Sequence, residues 1–203
     1  MNITITTPLY YVNDKPHLGS TYTTIACDVF ARFNRLEGHD VILITGVDEH
    51  GQKIQRTAES SDLEPIKHCD HITNQYVSLW ERLDIKYDKF VRTTSDNHIN
   101  LVNSFFEKVM SSGDIRQGIQ QGWYCVGCEE YKDIEKNISN PQCPIHRKNL
   151  EWRDEENLFF CLSKYQTQIE DLVKKEGFIQ PKTRRKEIIN FVSKGLNDFS
   201  ISR

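Results

Sequence analysis

The stretch YYVNDKPHLGSTYTT, Tyr10 to Thr24, follows the alternating segment NITITT, Asn2 to Thr7, and runs into an amphipathic helical pattern. Asn13, Asp14, Lys15, Pro16, His17 and Gly19 therefore crowd the point where a first strand hands over to a first helix. A helix start of this kind offers unpaired backbone N–H groups and a positive dipole end, the two ingredients of a phosphate cradle. The plain alternative is a polar loop with a glycine and a satisfied histidine, and this stretch alone leaves both open.

Leu18, Tyr22, Ile25, Val29, Phe33 and Leu36 recur at steps of three and four, with Ala26 and Phe30 widening the stripe and Gly38 closing the helix. VILIT, Val41 to Thr45, is a continuous apolar run of strand length, expected to be buried on both faces of a parallel sheet. Strand, helix and strand in succession predict a right-handed βαβ unit. One further helix is predicted from Pro65 toward Leu83. Another follows TTSD and carries Ile99, Val102, Phe106 and Val109 to a stop at Gly113, with KFVRT as a short strand between the two. Residues 1–113 thus read as an open α/β sheet domain.

The texture changes after Gly113. Residues 114–150 carry glycines, short aromatic pieces and little helical periodicity, as a separate small module would. Beyond them NLFFCLS reads as a strand, while Lys164 to Glu176 and Lys186 to Leu196 read as helices.

With 37% hydrophobic and 27% charged residues among 203, the chain can bury a core as one large domain or two small ones. Its apolar runs fall short of the roughly 20 residues of a membrane span, and it opens without the basic-then-apolar pattern of a secretory signal. It is therefore expected to be soluble and cytoplasmic. A net charge of −3 exerts no overall pull on polyanions. The dense basic run KTRRKE, Lys182 to Glu187, is read as a solvated helix face in preference to a phosphate-binding patch.

Six cysteines matter here through their spacing. Cys125-Val126-Gly127-Cys128 is followed, after 14 intervening residues, by Cys143-Pro144-Ile145-His146. Ligands two residues apart can grip one metal from a tight turn, and two such pairs fill a tetrahedral zinc shell. A shell closed by four protein ligands leaves no place for a bound water, so one structural zinc per chain is expected, held within residues 120–150. Cys27, Cys69 and Cys161 read as small hydrophobes instead.

Near the helix start, His17 can donate an N–H to a phosphate oxygen, and Gly19 lets a base or phosphate approach the backbone. GVDEHGQK places Asp48, Glu49 and His50 at the carboxyl end of the second strand, beside the first loop if the strands are parallel neighbours. A carboxylate there could hold an ammonium group; Asp48 or Glu49 could equally cap the next helix.

Taken together, TTPLYYVNDKPHLGS, TGVDEHGQKI, YCVGCEEY with CPIH, and the closing SISR resemble the amino-terminal part of the methionyl-tRNA synthetases, class I aminoacyl-tRNA synthetases, over the whole chain. The resemblance implies the first half of a Rossmann-type parallel sheet over 1–113, followed over 114–203 by a connective insertion with the zinc knuckles and helices. It implies that His17, Gly19 and Ser20 act in catalysis and ATP binding, in the place of the family's HIGH signature. It also implies that Leu9, Tyr11 and Asp48 hold methionine, with Asp48 facing the ammonium group. Zinc would be structural, Mg-ATP a substrate, and methionine and tRNA(Met) the partners in protein biosynthesis, with no membrane involved.

Two departures accompany it. Ser20 stands where the signature has its second histidine, and no KMSKS-like segment lies within these residues. An amino-terminal fragment that is catalytically incomplete by itself is therefore expected.

Overall fold

A computed structural model describes residues 1–202; Arg203, the last residue of SISR, lies outside the described residues. The chain packs as two compact units, Met1–Asn103 and Ser104–Arg203. In the first, strands β1 (Asn2–Thr6), β2 (Tyr10–Tyr11), β3 (Asp40–Asp48) and β4 (Lys89–Arg92) form a parallel sheet around β3. Ile44 pairs with Thr6 on one side and Lys89 on the other, so β3 is the middle strand. β1 and β2 are two pieces of one edge, interrupted at Pro8, and Tyr11 pairs with Asp48 where the ladder ends.

Helix α1 (Leu18–Leu36) makes the first crossover and is closed as expected: Gly38 takes φ +80°, a left-handed turn that a glycine enters without strain. Helices α2 (Gln52–Ser60) and α3 (Pro65–Arg82) make the second, α3 starting with Pro65 in its first turn. Both crossovers step the same way across the sheet. Ala31 of α1 packs with Val41 and Leu43, while Ile72, Tyr76 and Trp80 of α3 pack with Val47, all on one side of β3. Ile42, on the other side, is 39% exposed, so the two-sided burial expected of VILIT is not found.

The apolar stripe that marks α1 in the sequence is not the face that meets the sheet. Leu18 is 84% and Leu36 86% exposed, and Tyr22, Val29 and Phe33 are open too. The buried positions are Ser20, Thr24, Asp28, Ala31 and Asn34. Small side chains let the helix sit close, and their polar atoms are paired, so burying them costs little. The Thr24 hydroxyl lies 2.6 Å from the Tyr10 hydroxyl, Asp28 accepts the Lys86 N–H at 2.8 Å, and Asn34 donates to the Phe30 carbonyl at 2.8 Å.

Helix α4 (Asp96–Ser111) runs from the first unit into the second. The second unit is built on an antiparallel sheet in the order β6 (Glu130–Lys132), β5 (Ile115–Cys125), β7 (Glu151–Phe160), β8 (Phe199–Ser200). Helices α5 (Gln166–Lys174) and α6 (Lys182–Val192) pack on each other, with the basic run of α6 largely exposed. The 11-residue strand β5 was not legible in the sequence, because IRQGIQQGWYC alternates polar and apolar residues too loosely.

Candidate functional site

In the first unit the site is assembled at the carboxyl end of the parallel ladder. His17 is the N-cap of α1: its Nδ1 accepts the Gly19 N–H at 3.0 Å. A ring nitrogen that accepts carries no proton, so the neutral imidazole bears its hydrogen on Nε2. Ser20 completes a capping box, its hydroxyl accepting the His17 N–H at 3.2 Å and donating to the His17 carbonyl at 2.8 Å. It is 3% exposed, so its hydroxyl belongs to the helix start. Gly19 has a reason other than open space for a ligand, since a Cβ there would stand 2.8 Å from the His17 ring.

The methionine-site candidates fall nearby in the same unit. Tyr11 pairs with Asp48 through the backbone, the Val12 N–H reaches the Asp48 carbonyl at 3.4 Å, and Tyr11 donates its hydroxyl to the His50 carbonyl at 2.8 Å. Leu9 lies in the strand break and is exposed. Lys53, in the first turn of α2, sits 5.5 Å from the Tyr11 ring centre. Gly51 occupies the N-cap of α2 with no side-chain cap, so neither Asp48 nor Glu49 serves as one.

Sequence reasoning missed what lies behind these residues. Tyr10 stacks on Tyr76 at 5.4 Å, and His68 on α3 meets the Val12 carbonyl at 2.9 Å. Glu49 is buried against Arg92, whose guanidinium reaches both of its oxygens at 2.9 and 3.0 Å. Burial pushes the Cys69 thiol up to about 11, which leaves it a small hydrophobe as expected.

In the second unit Cys125, Cys128, Cys143 and His146 converge, their ligand atoms all within 4.8 Å of one another. Cys128 Sγ stands 3.5 Å from Cys143 Sγ and 3.3 Å from His146 Nδ1; His146 Nδ1 is 3.8 Å from both other sulfurs. A zinc with bonds of about 2.3 Å to sulfur would set tetrahedral sulfurs about 3.8 Å apart, so the cluster fits that ion. The two knuckles are conformational copies. In each, the second ligand's N–H points at the first ligand's sulfur at 3.4 Å, and the next residue, Glu129 or Arg147, turns left-handed at φ 56° and 52°. Gly127 is required by contact, since a Cβ there would come within 2.7 Å of the His146 ring. The His146 backbone N–H draws the Cys143 thiol down to about 6, while burial pushes Cys128 up.

Among the described residues no helix is long and apolar enough to cross a membrane. A profile of the family described as tRNA synthetases class I (M) matches residues 3–135 and 132–203. The chain is 58% identical over 201 residues to a methionine--tRNA ligase of Nostoc sp., an alignment covering 98% of this chain and 38% of the relative. It is 50% identical over 200 residues to the chloroplastic/mitochondrial methionine--tRNA ligase of Arabidopsis thaliana, covering 98% and 32%. Its structure superposes with a TM-score of 0.88 and 33% identity on Mycobacterium tuberculosis methionyl-tRNA synthetase in complex with methionyl-adenylate, covering all of this chain and 40% of that one. The chain thus spans well under half the length of these relatives.

Proposed function

The chain belongs to the class I tRNA synthetases of the methionine type, and from that membership we propose that it forms the amino-terminal part of a methionine--tRNA ligase working in the cytoplasm. In this reading methionine and Mg-ATP react to methionyl-adenylate and pyrophosphate, and the methionyl group then passes to the terminal adenosine of tRNA(Met). The observation that carries it is the meeting of Tyr11 with Asp48 where the ladder ends, six residues before the histidine-capped start of α1.

Asp48 takes the substrate ammonium, with Leu9 and Tyr11 beside the methionine side chain. The methionine carboxylate attacks the α-phosphorus, and negative charge grows on the phosphate oxygens as pyrophosphate leaves. His17 meets that charge with its Nε2–H, while Gly19 and Ser20 keep the ring in place. A donor fixed in advance stabilises the transition state without reorganising, which is where catalysis of phosphoryl chemistry lies. Cys125, Cys128, Cys143 and His146 would hold a zinc ion whose role is to fold the knuckles.

The test is methionine-dependent pyrophosphate–ATP exchange, run on these 203 residues and on the full-length protein. Exchange by the full-length protein alone is expected, since a donor facing the phosphates from the other side is needed as well. Robust exchange by the 203 residues alone, or none by the full-length protein, would refute the reading.

A further inference from the structure

Next to Asp48, which the proposed function assigns to methionine, stands a carboxylate turned into the protein. The Glu49 side chain is 0% exposed. Its oxygens accept from Arg92 Nε at 2.9 and 3.0 Å, from the Thr73 hydroxyl at 2.9 Å and from the Thr94 hydroxyl at 2.5 Å. Arg92 Nη2 also meets Asp70 at 2.7 Å. Two further contacts reach Thr93: the Glu49 N–H donates to its hydroxyl at 2.9 Å, and the His50 side chain brings Nε2 to 3.2 Å from its carbonyl. One side chain thus ties the end of β3 to α3, to β4 and to the residues after β4.

A buried ion pair of this kind is poor value as a source of stability, because desolvating both charges cancels much of their attraction and an apolar pair of similar size does as well. What a fully bonded carboxylate supplies, and an apolar side chain cannot, is direction. Asp48 is the last residue of β3 and Glu49 the next, so anchoring the Glu49 side chain holds the backbone that carries Asp48. We propose that Glu49, clamped by Arg92, is a positioning residue for amino-acid activation: it sets the position of Asp48 toward methionine without touching substrate. This rests on the functional reading above.

Two arms test it. In the 203-residue chain, which needs no substrate, E49Q should raise hydrogen exchange at the Glu49 amide by about tenfold while the β1–β3 ladder amides keep their rates. Unchanged exchange at Glu49 would overturn the inference and leave the functional reading standing. In the full-length protein, E49Q and R92K should each raise the methionine KM by about tenfold or more and move the ATP KM by less than about twofold. The double variant E49L/R92M removes both charges and should melt at or near the wild-type temperature, yet keep the raised methionine KM. Recovery of KM together with Tm would reduce the pair to a packing element and overturn the proposal. A wild-type protein without exchange activity would instead refute the functional reading, with the exchange arm still deciding this one.

Discussion

Tyr11 and Asp48 face each other across the last rung of a parallel ladder, 37 positions apart in the chain, and the Tyr11 hydroxyl reaches two residues further to the His50 carbonyl at 2.8 Å. Backbone pairing therefore fixes the separation of the aromatic side chain from the carboxylate. The Asp48 backbone is thus held by the sheet at its last rung.

Asp48→Asn keeps the shape of the side chain and removes its charge. Losing one charge-assisted hydrogen bond costs about 1.5–3 kcal/mol, or roughly 10- to 150-fold in methionine kcat/KM. The ATP KM should move little. Steady-state exchange kinetics with each substrate varied separately will check this, and equal losses for both substrates would make Asp48 a structural residue.

His17 caps α1, and substitutions can separate that role from the phosphate contact proposed for its Nε2–H. His17→Ala removes the cap and the Nε2–H together, with an expected loss of about 10²–10³ in activation rate. His17→Asn retains an N-cap acceptor, so thermal stability should return while the rate does not. Ser20→Ala breaks the capping box and the hydrogen bond between Ser20 and Tyr76 and should lower stability by about 1 kcal/mol or more with a smaller effect on rate. Paired calorimetric melts and single-turnover adenylate formation distinguish the three; full activity in His17→Ala would remove its phosphate role.

Elemental analysis should return one zinc per chain, lost in the Cys125→Ser, Cys143→Ser double variant. A chelator should disorder the knuckles, because little apolar surface other than Leu150, Trp123 and Ile134 packs around the ligands. Amide NMR will then show residues 120–150 collapsing to random-coil shifts while the parallel sheet keeps its dispersion. Dispersion retained throughout after chelation would mean that the metal is dispensable for folding.

Acid should weaken the second unit through Asp114, whose carboxyl is held below its usual range by hydrogen bonds from Ser112 and then Tyr165. A depressed folded value means that the carboxylate stabilises the native state above the ordinary carboxyl pKa of about 3.9, and loses that effect as pH falls through the folded value. The Tm gap between wild type and Asp114→Asn should be full near pH 6 and narrow below about pH 4. Circular-dichroism melts across that range measure it; a gap that widens toward acid would contradict the assignment.

The Cys/His cluster, the strand–helix–strand opening and the helix start at His17 were all legible in the sequence, because each depends on partners within a turn or on a fixed short spacing. Cys125 and Cys128, with two residues between them, are brought together by any tight turn, and Gly38 ends a helix wherever one precedes it. What the fold alone decided has partners distant in the chain. The apolar periodicity of α1 identified a helix yet not its buried face, since Thr24 and Asp28 become inexpensive to bury only once Tyr10 and Lys86 arrive to bond them. Glu49 reads as one acid in a polar turn until Thr73, Arg92 and Thr94, lying 24 to 45 positions further along, close around it. A one-dimensional pattern records which groups are polar; only the tertiary structure determines which of them are paired, and pairing decides whether a polar group faces water or the core.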